Sequence, residues 1–326
     1  MKKLILIILA INVFNVSNAQ IIKGVVIDES NSARINFATI YINGTSIGTY
    51  SDKNGYFELV ITKHNSLPLT ISALGYYSVT LTDFISDKIT EVRLKPKIYE
   101  LKEVIVTDKS HRNERIANLK LFKAQFLGSS ANGRKCVILN EEDIKFIDSG
   151  SSLKAFAIKP IEIVNNGLGY KIKYYLDLFE YNRGSGFFSY KGNALFNEDM
   201  SVGMTQNNIF EKRRKKAYIG SIFHFFRSLW RNSLESNGFI IRNSEGESLN
   251  FNDLVITGAD SKKYLCYLGN LYLYYMSKPP DSYIEIVKNK VYFDSVGYFD
   301  GSGVKIMGQM AIQRIGDLLP YDYELK

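Results

Sequence analysis

Between residues 20 and 96 the apolar side chains recur at every second position in short runs, and each run stops at glycine, asparagine or aspartate. This period of two suits a pleated strand with one buried face, and it cannot lay down the 3.6-residue stripe of a helix. Ala38, Ile40 and Ile42 share one face of a half-buried strand, with Phe37, Thr39 and Tyr41 on the other. Asp52-Lys53-Asn54-Gly55 then reads as a turn, with Gly55 free to take a positive φ. Phe57, Leu59 and Ile61 resume the alternation. Leu69, Ile71 and Ala73 repeat it before a turn at Gly75-Tyr76, and Val92 and Leu94 complete it before Pro96. Short strands at this spacing predict a β-sandwich over residues 20–96.

The chain begins Met1-Lys2-Lys3, runs apolar from Leu4 to Phe14, and passes through Ser17-Asn18-Ala19. A charged start, a short greasy core and small residues before the break form the pattern of a secretory signal peptide over residues 1–19, cut after Ala19. The apolar run is shorter than the ~20 residues of a membrane span. The remaining chain, roughly 300 residues, is the size of two domains. The formal charge of +8 is spread thinly apart from one run, and so does not point to nucleic acid. Cys136 and Cys266 both sit among apolar residues, which leaves a disulfide in an oxidising compartment and two buried free thiols as open alternatives.

The first region also resembles a known family. Its signature reads Gly24-x-Val26-x-Asp28, then Phe37-Ala38-Thr39-Ile40-Tyr41-Ile42 and Gly44-Thr45. It continues with Gly48-Thr49-Tyr50-Ser51-Asp52-x-x-Gly55-Tyr56-Phe57 and ends with Leu69-x-Ile71-Ser72-Ala73-x-Gly75-Tyr76. These residues resemble the carboxypeptidase-regulatory-like, transthyretin-type domain, a module that also precedes the plug of glycan-importing TonB-dependent receptors. Leu101-Lys102-Glu103-Val104-Ile105-Val106-Thr107 resembles the segment that joins module to plug. The resemblance implies a companion of enzymes and no catalytic residues of its own, since fold does not confer function.

Beyond a linker at residues 97–114, residues 115–326 predict a β-rich domain. A helix is expected over Arg115–Leu127, with Ile116, Leu119, Phe122 and Phe126 at helical spacing and Gly128 as its stop. Strands are expected near residues 136–139, 144–147, 153–158, 161–164, 169–179, 187–190, 254–257, 264–276, 284–287, 291–293 and 304–307. One long amphipathic helix is predicted over Lys212–Asn237. Ile219, Ile222, Phe223, Phe226, Leu229, Trp230 and Leu234 form its stripe, and His224, Arg227 and Arg231 its opposite side. The basic entry to this helix, Lys212, Arg213, Arg214, Lys215 and Lys216, together with Arg227 and Arg231, is the candidate binding surface for lipid headgroups or an acidic partner. The plainer alternative is a helix that covers a sheet and turns its charges to solvent. Leu168-Gly169-Tyr170-Lys171-Ile172, Phe188-Ser189-Tyr190, Lys216-Ala217-Tyr218 and Asp317-Leu318-Leu319-Pro320-Tyr321 resemble the later part of the envelope proteins called carboxypeptidase-like regulatory-domain proteins. That resemblance supplies no site residues.

Catalytic chemistry has little to stand on. His111-Arg112-Asn113-Glu114 matches H-x-x-E, with His224 further on and His64 the remaining histidine. The stretch around His111 is polar, however, and lacks the rigid ligands a zinc site needs. There is no G-x-S-x-G elbow and no phosphate-binding glycine loop. Glu141-Glu142-Asp143 reads as a solvated turn unless a cleft separates its carboxylates. Tyrosine is abundant (22), and Tyr264, Tyr267, Tyr272, Tyr274 and Tyr275 crowd one segment. They are strand residues first and a sugar-stacking platform second. The chain beyond Thr107 is too short for a transporter barrel of about 22 strands of roughly 10 residues each.

The expectation is a mainly β protein: a transthyretin-like sandwich, then a β-rich α+β domain with one long amphipathic helix. It is expected to be exported to the periplasm or outer membrane and to act by binding, without cofactor or metal. Its partner is expected to be an envelope protein or a surface glycan, with peripheral membrane contact as a further option and no nucleic acid. A peptide- or glycan-directed hydrolase with its site in the second domain is the alternative.

Overall fold

The computed structural model describes residues 20–61, 67–82, 84, 89–97, 109–198, 203–259, 261–276 and 282–325. The signal-peptide segment, His64 and the segment from Leu101 to Thr107 lie outside the described residues. The fold is mainly β, in two compact units. One takes in residues up to Tyr41 and Gly48–Pro96; the other comprises Ile42–Ile47 with Lys97–Lys326.

In the first unit, β1 (Gln20–Asp28), β4 (Tyr56–Ile61) and β7 (Ile89–Leu94) form a three-stranded sheet in the order β4-β1-β7. In it, β1 pairs antiparallel with β4 and parallel with β7. β2 (Thr39–Ile42), β3 (Gly48–Tyr50), β5 (Leu69–Ser72) and β6 (Val79–Leu81) form a second sheet in the order β3-β2-β5-β6. The period of two appears as expected on β4, where Phe57, Leu59 and Ile61 are buried and Glu58 and Val60 face out. The turn before β4 forms through Asp52, whose carboxylate accepts from the backbone N–H of Asn54 and Tyr56, with Gly55 at φ 73°.

β2 differs from its prediction. All four of its residues are buried, so both faces are covered, and Phe37 stands 74% exposed outside the strand at φ 53°. β5 is likewise buried on both faces, and its polar positions stay satisfied. Thr70 Oγ1 lies 3.2 Å from Thr80 Oγ1, and Ser72 Oγ lies 2.7 Å from Ser78 Oγ. Hydroxyl pairs of this kind let threonine and serine occupy core positions at low cost.

The second unit opens with α1 (Lys109–Phe126), which starts inside the stretch assigned to the linker. Its buried face is Phe122 and Phe126, both fully covered, while Ile116 is exposed, although helical spacing alone places it on that face. Six antiparallel strands come next: β8 (Cys136–Ile138), β9 (Ile144–Asp148), β10 (Ser152–Ala157), β11 (Ile161–Asn165), β12 (Tyr170–Asn182) and β13 (Phe188–Glu198). β12 is the spine, holding β11 and β10 along one edge and β13 along the other. Phe122 and Phe126 lie against this sheet, edge-on to Phe179 and Tyr174.

The single long helix predicted over Lys212–Asn237 is not observed. α2 (Met204–Tyr218) and α3 (Ile222–Trp230) are separate, broken at Gly220, whose φ is 75°. Ser221 caps α3 by accepting from the His224 backbone N–H at 3.0 Å. α3 has no solvated side, because Phe223 through Leu229 are all buried, His224 and Arg227 among them. A helix apolar nearly all round belongs inside a core. Its neighbours are β14 (Phe239–Arg242), β15 (Ser248–Leu249), α4 (Phe251–Leu254), β16 (Val255–Thr257), β17 (Lys263–Leu265), β18 (Asn270–Tyr275), β19 (Ser282–Ile286), β20 (Val291–Phe293) and β21 (Val304–Gly308). They form a five-stranded sheet, β15-β14-β18-β19-β21, and a three-stranded one, β16-β17-β20. The single strand expected over Tyr264–Met276 is thus two strands in different sheets, parted at Gly269 with φ 115°. Phe225, Phe226 and Leu229 pack with Phe239, Leu271, Ile284 and Phe293 in this second core.

Candidate functional site

The basic run does not form one surface. Lys212, Lys215, Lys216 and Arg231 are exposed and Arg213 is half-buried. Arg214 points inward and is consumed there. Its Nε donates to Leu168 O at 2.8 Å, Nη1 to Glu198 and Glu211 at 2.8 and 2.9 Å, and Nη2 to Gly169 O. Its guanidinium also lies 4.1 Å from the Tyr170 ring centroid. Arg227 is equally committed, donating to the carbonyls of Val296, Tyr323 and Tyr321 at 3.0, 2.8 and 2.9 Å, with its guanidinium 4.0 Å over Phe223. Burial pulls its pKa below the ordinary arginine value. Neither arginine is available to headgroups or to a partner.

The histidines take different places. The His111 side chain lies outside the described residues, although its backbone is in α1. His224 is buried in a cage of rings, 4.8 Å from Tyr218 and 5.0 Å from Phe239 between centroids. The Gly220 N–H donates to its Nδ1 at 3.2 Å, so the neutral ring carries its proton on Nε2, which faces Asn237 Oδ1 at 3.3 Å. Burial drives its pKa down. Glu141–Asp143 forms one 3-10 turn, and Lys123 Nζ bonds Glu141 there at 2.6 Å. Among the described residues no group of three or more His, Cys, Asp or Glu is placed to hold a metal ion. Cys136 and Cys266 are both free thiols, and burial pushes the Cys136 thiol up to about 12.

What the sequence did not single out is a cavity of about 260 Å³ in the second unit. Its wall is aromatic: Tyr174 and Tyr190 from the spine sheet, Phe223 from α3, Phe299, and Tyr321. Small residues open the space, since Gly192, Ala194, Ala217 and Gly297 all line it. Its polar side chains are tied into the wall. Asn43 Oδ1 accepts from Ala194 N, Ser221 Oγ from His224 N, and Asp317 from Asn132 Nδ2, while Gln313 Nε2 donates to Ala217 O. These residues come from sequence positions far apart, and no local pattern marks them.

A family model for the CarboxypepD_reg-like domain matches residues 22–106, and that region is a carboxypeptidase-regulatory-like β domain. No curated protein matches the chain. Among solved structures, the chain is similar to a 9R-lipoxygenase from Cyanothece PCC8801, with 7% identity and a TM-score of 0.19. That alignment covers 66% of this chain and spans about half (49%) of the lipoxygenase chain, and a score so low carries no argument.

Proposed function

We propose that the protein is an exported, non-catalytic binding protein of the cell envelope, whose second unit seats an apolar side chain of a partner protein in the aromatic cavity. The observation that carries this reading is the wall itself. Asn43, Ser221, Asp317 and Gln313 are each held by a hydrogen bond to the protein, and most of the remaining wall is ring and aliphatic surface, so what it mainly offers a ligand is shape and apolar surface. Sites that enclose a whole small molecule run from ~300 to 1,000 Å³. The cavity, at about 260 Å³, falls below that range and suits a single ring or branched side chain delivered by a larger partner. Export is supported by the charged and then apolar opening of the chain. The envelope is supported by the module at residues 22–106, whose residue signature resembles the domain ahead of receptor plugs.

The test is a photo-reactive phenylalanine analogue at Ile222, a half-buried residue of the cavity wall, introduced in growing cells. A discrete adduct with an envelope protein is expected, and it should vanish when Ala194→Phe fills the cavity. An adduct that survives the filled cavity, or none at all, sinks the binding site. An uncut chain retained in the cytosol sinks the export step.

A further inference from the structure

With Arg214 and Arg227 turned inward, the part of the basic run left in solvent on α2 is one face of that helix. α2 buries Phe210, Arg214, Ala217 and Tyr218. At about 3.6 residues per turn these four share one side, and Lys212 falls opposite them with Lys215 and Lys216 on either side of it. All three lysines are exposed, as are Thr205 and Asn208 on the same face. Met204, 86% exposed, and Ile219, 41% exposed, bracket the face at its two ends, roughly 22 Å apart at ~1.5 Å per residue.

This face carries positive charge that nothing in the chain offsets. Among the described residues no carboxylate lies within ion-pair distance of Lys212, Lys215 or Lys216. Glu211 stands four residues before Lys215, the spacing at which the two could pair, but it accepts from Arg214 at 2.9 Å. Lys212 in turn stands three and four residues from Lys215 and Lys216, spacings at which like charges repel across a helix surface. The helix macrodipole favours cations in the last turn, which accounts for Lys215 and Lys216. It accounts neither for Lys212 nor for a methionine left in solvent at the other end.

An acidic protein and an anionic membrane both complement such a charge, and the side chains favour the membrane. Protein interfaces are enriched in arginine, whose planar fork matches a carboxylate, and depleted in lysine. On α2 the arginines are withdrawn: Arg214 is buried, and Arg213 is half-buried with Nη1 donating to Gly167 O at 3.3 Å. What faces out is lysine, a compact hydrated charge on a flexible stem, which suits a layer of headgroups with no fixed register. The apolar ends suit the same surface, because Met204 and Ile219 can enter the acyl boundary while the lysines between them stay among the phosphates. We propose that the outer face of α2 rests on an anionic phospholipid surface through Lys212, Lys215 and Lys216. The contact is separate from the aromatic cavity and does not depend on that cavity's role.

The test mixes the purified full chain with vesicles of phosphatidylcholine, alone or with about one third phosphatidylglycerol, and reads bound protein by sedimentation. The neutral vesicles account for binding through the apolar opening of the chain. Binding to the anionic vesicles is expected to exceed binding to the neutral ones. The excess should vanish at about 0.5 M salt, where the Debye length falls to a few Å. Lys212→Gln alone should weaken it about fivefold. Lys212→Gln combined with Lys215→Gln and Lys216→Gln should weaken it on the order of a hundredfold, the equivalent of ~1 kcal/mol for each lysine at a charged bilayer. Equal binding to both vesicle types, an excess that survives salt, or a triple variant that binds like the parent overturns the proposal. So does tighter binding to poly-glutamate than to the anionic vesicles at matched charge, which would hand the face to an acidic protein.

Discussion

Lys212 and Arg214 stand two positions apart in one basic run, yet one ends in solvent and the other against the carbonyls of Leu168 and Gly169, some 46 residues earlier in the chain. Removing them should have unequal effects. Lys212→Ala and Lys215→Ala are expected to change stability by under ~0.5 kcal/mol, as surface substitutions do. Arg214→Ala should cost more than ~2 kcal/mol in denaturant unfolding, because two carbonyls lose their donor and Glu198 and Glu211 lose their partner. The run was legible in the sequence as charge, whereas the inward turn of one member was not, since it is fixed by a long-range pairing. His224 makes the same point with a pH signature. Its folded pKa is held below the ordinary value of 6.5 by burial, opposed by the Asn237 hydrogen bond. Between that depressed pKa and 6.5 the unfolded chain takes up a proton that the folded one refuses, so stability rises with pH. The contribution is complete above 6.5 and is lost as pH falls through the folded value. Protonation would also set an N–H against the Gly220 N–H. Thermal unfolding followed from neutral to mildly acidic pH should show this loss, and His224→Gln should flatten it.

The elements divide according to how local their causes are. The strands of the first unit follow period-two runs and glycine turns, and these are written into a few adjacent residues. The break between α2 and α3 was also written locally, as Gly220 followed by the capping Ser221. The apolar stripe across it, continuous in number, concealed the break. Gly220→Ala is expected to destabilise by ~1 kcal/mol or more, because the site needs φ 75° and a Cβ there would come within 3.1 Å of the Tyr275 ring. Differential unfolding against the parent chain measures this, and an unchanged midpoint would mean that the turn tolerates an L-residue. β14, four residues directly after the expected end of the long helix at Asn237, was not among the expected strands.

For the molecule as a whole, the mainly β class and the regulatory-like module, expected over residues 20–96 and matched over 22–106, could be read in advance, because both rest on alternation and a residue signature. The aromatic cavity could not, since its walls gather from residues 43 to 321. The same gathering bears on how the protein is made. Arg227, buried on α3, finds two of its three acceptors at Tyr321 and Tyr323, 94 and 96 residues further along. Domains generally fold as they emerge during synthesis, but this one holds a guanidinium without two of its three acceptors until that whole stretch has been translated. A product halted before Tyr321 would leave that charge only the Val296 carbonyl and the Phe223 ring.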